Sequence, residues 1–342
     1  MNARTEDILL QVDDLQVHFP RPRSGMFQPP EVVKAVDGVS FRVRRGSTLA
    51  VVGESGSGKT TTALAVMRLA PVTAGRMRLG DTDLAALSGE PLRQARRRMQ
   101  IVFQDPFSSL NPRQRAGAAV RAPLDLMQVG TPAEREARVA ELFTQVGLRP
   151  EQQHLFPHQF SGGQRQRINI ARALATNPEL VVCDEPVSAL DIAIRAQILN
   201  LLARLQKDLG LTFLFISHDM AVVEHICDDI AVMYLGQIVE QGPRKTFFAR
   251  PLHPYSVALM SAVPTVGGGR QRAAQRIKLT GDPPSPINPP PGCRFAGRCP
   301  VAVPACAAEL PPLREAAPGH WVRCIRVEHH AGVPVPPLAM PA

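Results

Sequence analysis

At 342 residues the chain is too long for one small domain, and its length suggests two. The formal net charge of +9 admits a nucleic-acid partner, but the positives are scattered through arginines such as Arg42, Arg44, Arg45, Arg96, Arg97 and Arg98, only 5% of residues are aromatic, and no nucleic-acid module is visible; attraction to an anionic membrane surface explains the same excess. No apolar run approaches the ~20 residues that cross a bilayer, and the opening Met1-Asn2-Ala3-Arg4-Thr5-Glu6-Asp7 does not read as a secretory signal, so the chain is expected to be cytosolic in itself.

Residues 8 to about 100 read as short strands around a glycine loop. Leu15-Gln16-Val17-His18-Phe19 alternates as a half-buried strand does and ends on an aromatic ring, just before a proline-rich insert from Pro20 to Pro30. Gly53-Glu54-Ser55-Gly56-Ser57-Gly58-Lys59-Thr60 then fits G-x-x-x-x-G-K-[ST], between the apolar run Leu49-Ala50-Val51-Val52 and a helix-forming stretch from Thr61 to Ala70. Strand, glycine loop and helix in that order make a phosphate cradle. The glycines let backbone N–H groups turn inward at a helix N-terminus, where the peptide dipoles favour negative charge. Lys59 supplies a mobile cation for the β- and γ-phosphates, and the Thr60 hydroxyl suits Mg²⁺.

A helix is expected from Pro91 to Arg98. Gln104 follows Ile101-Val102-Phe103 and precedes the turn-prone Asp105-Pro106-Phe107-Ser108-Ser109-Leu110-Asn111-Pro112; its neutral amide on a loop can meet Mg²⁺ or a water. From about 105 to 178 the pattern is helical, including Pro132 to Val146. Ser161-Gly162-Gly163-Gln164 opens a helix running to about Thr176, with Ser161 as N-cap and two glycines whose amides can approach an anion closely.

Leu180-Val181-Val182-Cys183-Asp184-Glu185 is an apolar strand ending in adjacent carboxylates. They can share a site only where the pleat gives way, and Pro186 supplies a break. A helix from Ile192 to Leu209, a strand at Leu211-Thr212-Phe213-Leu214-Phe215-Ile216 closing on Ser217-His218-Asp219, a helix near Met220 to Cys227 and two further strands follow. Such alternation argues a largely parallel sheet with helices on its faces.

After about residue 245 prolines crowd the chain: 15 of 33 lie in the last 62 residues, which argues against regular helices and strands there. Four of the six cysteines, Cys293, Cys299, Cys306 and Cys324, are spaced C-x5-C-x6-C-x17-C, neither a zinc-ribbon nor a bacterial ferredoxin pattern. A cytosolic location disfavours disulfides, so the spacing leaves open a metal staple or four unrelated thiols in a loose tail.

Over roughly residues 8 to 245 these motifs resemble, in type and order, the ATP-binding subunit of ABC transporters. The resemblance implies an α/β fold: a P-loop NTPase (ABC ATPase) core with an antiparallel β-subdomain, a helical subdomain at about 105–178, and a proline- and cysteine-rich C-terminal extension. The corresponding boundaries are a nucleotide-binding domain over 1–245, the extension over 246–330 and a disordered tail over 331–342. ATP is then held by Gly53, Glu54, Ser55, Gly56, Ser57, Gly58, Lys59, Thr60 and Thr61, with Phe19 stacked on the adenine, and Mg²⁺ by Thr60, Gln104 and Asp184. Glu185 is the general base toward the attacking water, and His218 the switch histidine on the γ-phosphate. Two subunits, identical or different, dimerise head to tail, so that Ser161, Gly162, Gly163 and Gln164 of one complete the site built on Lys59 of the other. Asp191 belongs to the loop linking the two sites, and the Gln104 region faces the membrane subunits. Phe160 stands where the family pattern more often has leucine.

His253-Pro254-Tyr255, Gly281-Asp282-Pro283-Pro284-Ser285-Pro286-Ile287-Asn288-Pro289-Pro290 and Gly292-Cys293-Arg294-Phe295, with Arg298-Cys299-Pro300, resemble the C-terminal extension of oligopeptide and dipeptide importer ATPases. That implies two permease subunits, an extracytoplasmic solute-binding protein and a seat on the cytoplasmic face of the inner membrane. The solute is expected to be a short peptide, with glutathione-like compounds or nickel complexes as alternatives. The resemblance makes a 4Fe-4S cluster the natural occupant of the four cysteines, with zinc second. A non-transport ABC ATPase acting on ribosomes or DNA would share the nucleotide motifs, but the paired domains or coiled-coil insert usual in such proteins are not visible.

Overall fold

The computed structural model describes residues 7–21, 31–263, 277–330 and 333–338. Their parts of the chain form two compact units, each gathered from separate stretches: the first from Met1–Gln11, Arg42–Thr48 and Arg78–Ile216, the second from Val12–Phe41, Leu49–Met77 and Ser217–Ala342. The stretch after residue 245 thus packs in the same unit as the phosphate loop.

In the first unit the central element is the strand Leu180–Asp184, parallel to Met99–Val102 on one side and to Thr212–Ser217 on the other. Leu180, Val181, Val182 and Cys183 are all buried, as a parallel strand covered on both faces requires. The register places Cys183 opposite Val102, and Asp184 opposite Ile216, at the carboxyl ends where open α/β sheets bind ligands. Three helices, Ala116–Leu126, Pro132–Gln145 and Gly162–Leu174, pack on one another around Val120, Leu142, Phe143 and Ile170. Their boundaries are chemical. Thr131 and Glu134 cap each other's backbone N–H groups before Pro132, and Ser161 and Gln164 repeat that reciprocal cap. The helix Ile192–Leu209 has the bounds expected from its sequence; it starts on the Asp191 cap and stops at Gly210 in the left-handed region.

In the second unit the strands Ile8–Pro20 and Val32–Arg44, which run into it, are 13 residues each, longer than the short strands the sequence suggests. Strand Thr48–Val52 lies parallel to Asp229–Tyr234, which turns through Leu235 and Gly236 into the antiparallel Gln237–Pro243. Both turn residues have positive φ, 44° and 79°, the twist a two-residue hairpin prefers. His320–Val322 and Arg314–Ala317 then extend this sheet. The region after 245 is therefore more regular than its prolines suggest, with helices Pro254–Ser261 and Pro304–Ala308 as well as these strands. Pro254 and Pro304 stand at the first helical turn, where a missing N–H costs nothing. Of the tail expected to be disordered, 331, 332 and 339–342 lie outside the described residues, while Val333–Val335 pairs as a strand with Glu328–His330.

The first helix spans Lys59–Val66, shorter than the predicted reach to Ala70 because Arg68 turns to φ 56°.

Candidate active site

The second unit carries the phosphate loop. Gly58, at φ 102°, is the last residue before the helix, and a Cβ there would lie 2.3 Å from the Ala35 carbonyl oxygen; at Gly53 it would lie 2.1 Å from that of Met233. Glycine is required at both positions by close backbone approach. Lys59, 5% exposed, donates from Nζ to the Gly53 and Glu54 carbonyls, each at 2.8 Å, holding its ammonium across the mouth of the loop. Ser55, Gly56 and Thr60 are exposed, Thr61 is half-buried and Ser57 is buried. Phe19 is half-buried near the end of its strand, beside His18, whose Nε2 lies 2.9 Å from Asp37 Oδ1. His218 is exposed after the strand Thr212–Ser217, and Asp219 beside it caps the helix Met220–Ile226 through bonds from the Ala221 and Val222 amides.

The first unit carries the carboxylates. Asp184 is buried at the strand end. Glu185 is the break itself, one residue earlier than Pro186: its φ of 48° lies in the left-handed region, a conformation costing on the order of 1 kcal/mol or more for a residue with a side chain. Its N–H donates to the Ile216 carbonyl at 3.0 Å, and the turned carboxylate accepts a bond from Gln104 Nε2 at 3.1 Å. A cavity of about 550 Å³ opens here, lined by Phe103, Gln104, Asp105, Ser109, Arg172 and Asp184 among others. The backbone N–H of Phe107 holds the Asp105 carboxyl below its ordinary range, and burial lowers the Arg172 guanidinium, which donates to the Ser109 carbonyl. The wall mixes these hydrogen-bonded polar groups with apolar ones such as Ile101 and Phe103, and Phe107 is exposed under Arg165, 4.2 Å from the ring centre.

Ser161 Oγ accepts from the Gln164 amide at 3.3 Å, and Gln164 Oε1 accepts from the Ser161 amide at 3.0 Å. Gly162 has room around it, but a Cβ at Gly163 would meet Ile194 Cγ2 at 2.4 Å, so this glycine lets the helix approach its neighbour Ile192–Leu209. Gln166 Nε2 donates to the Pro186 carbonyl at 2.7 Å, tying the same helix to the loop that carries Glu185. Asp191 accepts from the Ile194 amide.

Cys293, Cys299, Cys306 and Cys324 are brought to one place: all four line a cavity of about 20 Å³ with His253, Phe295 and other groups, and none forms a disulfide. Burial raises the Cys293 and Cys299 thiols, and pushes Cys324 up to about 11. Among the described residues, however, no group of three or more His, Cys, Asp or Glu side chains is arranged to hold a metal ion. The cavity has room for about one water. The donor set suits a thiophilic metal, while the side chains close over a space smaller than a four-iron cube.

Sequence reasoning missed a polar network beside this pocket. Glu240, 0% exposed inside the strand Gln237–Pro243, accepts from the Leu252 and His253 amides at 2.8 and 2.7 Å and lies 2.8 Å from His320 Nε2. Burial drives His253 down to about 3, so its neutral ring can accept at Nδ1 from the Tyr255 amide and start the helix Pro254–Ser261. The only local signal is a carboxylate directly after the apolar pair Ile238-Val239.

Residues 36–188 match the ABC transporter family, and residues 239–306 match the oligopeptide/dipeptide transporter C-terminal region. The oligopeptide transport ATP-binding protein AppF of Bacillus subtilis is 48% identical over 326 residues, covering 95% of this chain and 99% of the relative. Among solved structures, the dimeric, post-hydrolysis state of the ATP-binding cassette MJ0796 bound to ADP and Pi superposes with a TM-score of 0.60 at 28% identity, over 69% of this chain and 98% of the other. CbiO1 from Clostridium perfringens, part of the ABC transporter complex cbiONQ, gives 0.61 at 28% identity, over 71% and 92%. By these likenesses the chain is a member of the ABC transporter ATP-binding family, in the branch that carries the oligopeptide/dipeptide transporter C-terminal region.

Proposed function

We propose that the protein is the ATP-hydrolysing subunit of an importer for short peptides or a chemically related solute, acting at the cytoplasmic face of the cell membrane. The observation that carries the enzymatic reading is Glu185, turned out of its strand at positive φ and held by Gln104 beside buried Asp184. Lys59 and the loop amides grip the β- and γ-phosphates. Thr60, Gln104 and Asp184 offer the oxygen donors Mg²⁺ prefers, and the ion supplies charge neutralisation for the transferring phosphoryl group. Glu185 takes the proton of the attacking water, and His218 contacts the γ-phosphate. Phe19 stacks on the adenine.

A second ATPase subunit, a copy or a different chain, covers the nucleotide with its Ser161–Gln164 helix start, and Asp191 lies in the loop linking the two sites. Hydrolysis removes the shared phosphate, and the pair parts. Two permease subunits and a solute-binding protein complete the assembly, the permeases meeting the cavity beside Gln104. Among the described residues no helix is long and apolar enough to cross a membrane, which fits a subunit held through permeases. Cys293, Cys299, Cys306 and Cys324 are the thiols a 4Fe-4S cluster would use, but the pocket as it stands does not fit one and would have to open to admit it; zinc is the smaller alternative.

Purification from detergent is expected to recover two multi-span membrane proteins with this chain; recovery with ribosomes instead would contradict the transport reading. Anaerobic preparation with iron and acid-labile sulfide analysis tests this: iron with sulfide would show that the pocket opens around a cluster. Zinc without sulfide, or neither metal, would remove the cluster.

A further inference from the structure

Two arginines sit inside the cysteine segment, Cys293-Arg294-Phe295-Ala296-Gly297-Arg298-Cys299, and both bond residues in or near the glycine loop's surroundings in the same unit. Arg298, whose side chain is 9% exposed, grips Glu54 with both terminal nitrogens, at 2.7 and 3.2 Å from the two carboxylate oxygens. Glu54 is the second residue of the phosphate loop, and its other groups are held as well. Its N–H donates to the Tyr255 hydroxyl at 2.8 Å, and its carbonyl accepts from Lys59 at 2.8 Å. Arg294, 6% exposed at its side chain, bonds the Asp37 carboxylate, which His18 also meets next to Phe19, and donates to the carbonyl of Leu235, the strained hairpin residue. Between the arginines, Phe295 packs edge-on against Tyr234 at 5.3 Å between ring centres and tilted against Tyr255 at 5.4 Å.

We propose that Arg298 is a positioning residue for ATP: anchored by the cysteine pocket and the Tyr234–Tyr255–Phe295 cluster, it fixes Glu54, and through Glu54 the opening turn of the phosphate loop and the carbonyl on which Lys59 rests. The physical reason is rigidity. A loop of glycines and serines loses conformational freedom when it closes around phosphates, and a planar two-point ion pair at its first turn removes part of that freedom before the nucleotide arrives. Lysine cannot reproduce the fork, so the effect depends on guanidinium geometry as well as charge. The C-terminal segment thereby sets nucleotide affinity by holding a residue of the phosphate loop in place. The proposal rests on the reading of the loop as an ATP site.

The test uses the full chain in its purified assembly, with equilibrium binding of MgATP and steady-state turnover measured for wild type, R298M, R298K, E54Q and the double variant R298M/E54Q. R298M is expected to weaken ATP binding about tenfold, which corresponds to about 1.4 kcal/mol, and to raise KM similarly while kcat at saturating ATP stays within about twofold, because the loop reaches the same bound geometry. R298K should fall between wild type and R298M. E54Q removes the charge pair from the loop side without altering the C-terminal segment and should give a like weakening, and the double variant should be no worse than the more affected single one, as partners in one interaction require. An unchanged KM in R298M, or losses that multiply in the double variant, would overturn the proposal. A wild type that binds no ATP would overturn it together with the reading beneath it, and so is told apart from failure of the arginine alone.

Discussion

Glu185→Gln is expected to lower ATP turnover by about 10²–10⁴-fold, the range attributed to a positioned general base, while leaving MgATP binding intact. The amide keeps the size and one acceptor oxygen of the carboxylate, so its 3.1 Å contact with Gln104 and the turn at φ 48° can persist. What it loses is basicity. A variant that binds ATP without splitting it should accumulate as the closed pair, larger by sedimentation in MgATP than in MgADP. Full turnover would remove Glu185 from the chemistry, and loss of binding together with turnover would make its role structural. The backbone supports the chemical role. A glutamate in the left-handed region carries a conformational cost that an ordinary strand terminus avoids, and that cost aims the carboxylate toward Gln104.

Glu240→Leu is expected to destabilise the second unit by about 3 kcal/mol or more, at roughly 1–3 kcal/mol for each buried group left without its hydrogen-bond partner. Leucine fills a similar volume but leaves the Leu252 and His253 amides and the His320 ring without their acceptor in the interior. Trp321, the only tryptophan, is adjacent to His320 in the strand paired with Glu240, so urea unfolding followed by its fluorescence reads the change directly. An unchanged midpoint would show that the network contributes nothing. The effect should also reach the nucleotide. Glu240 fixes His253, His253 caps the helix that begins at Pro254, and Tyr255 on that helix accepts from the Glu54 amide, so ATP affinity should fall with stability.

The parts of the site that could be read from sequence are those whose chemistry is local. The phosphate loop needs glycines, a lysine and a threonine within eight positions, and the helix Ile192–Leu209 is framed by its own cap and stop, Asp191 and Gly210. The Ser161–Gln164 reciprocal cap is equally local. Contacts across long separations were not legible. Glu240 draws its partners from 12, 13 and 80 residues away, and Arg298 meets Glu54 across 244 residues. Proline density misled because a proline at the first turn of a helix, as at Pro254 and Pro304, starts the element it would break from inside. Cysteine spacing identified four residues that do meet in one pocket, but spacing cannot say whether thiols face a metal or close over apolar space, as they do here.

The most direct test is peptide uptake by vesicles containing the purified permeases, this chain and its partner ATPase, with the solute-binding protein on one side and MgATP on the other. Labelled short peptide should accumulate only when ATP is on the side that holds this chain, and should stop when Glu185→Gln replaces the wild type. Accumulation that continues without this chain, or ATP consumption that is indifferent to both peptide and permeases, would contradict the role assigned to it.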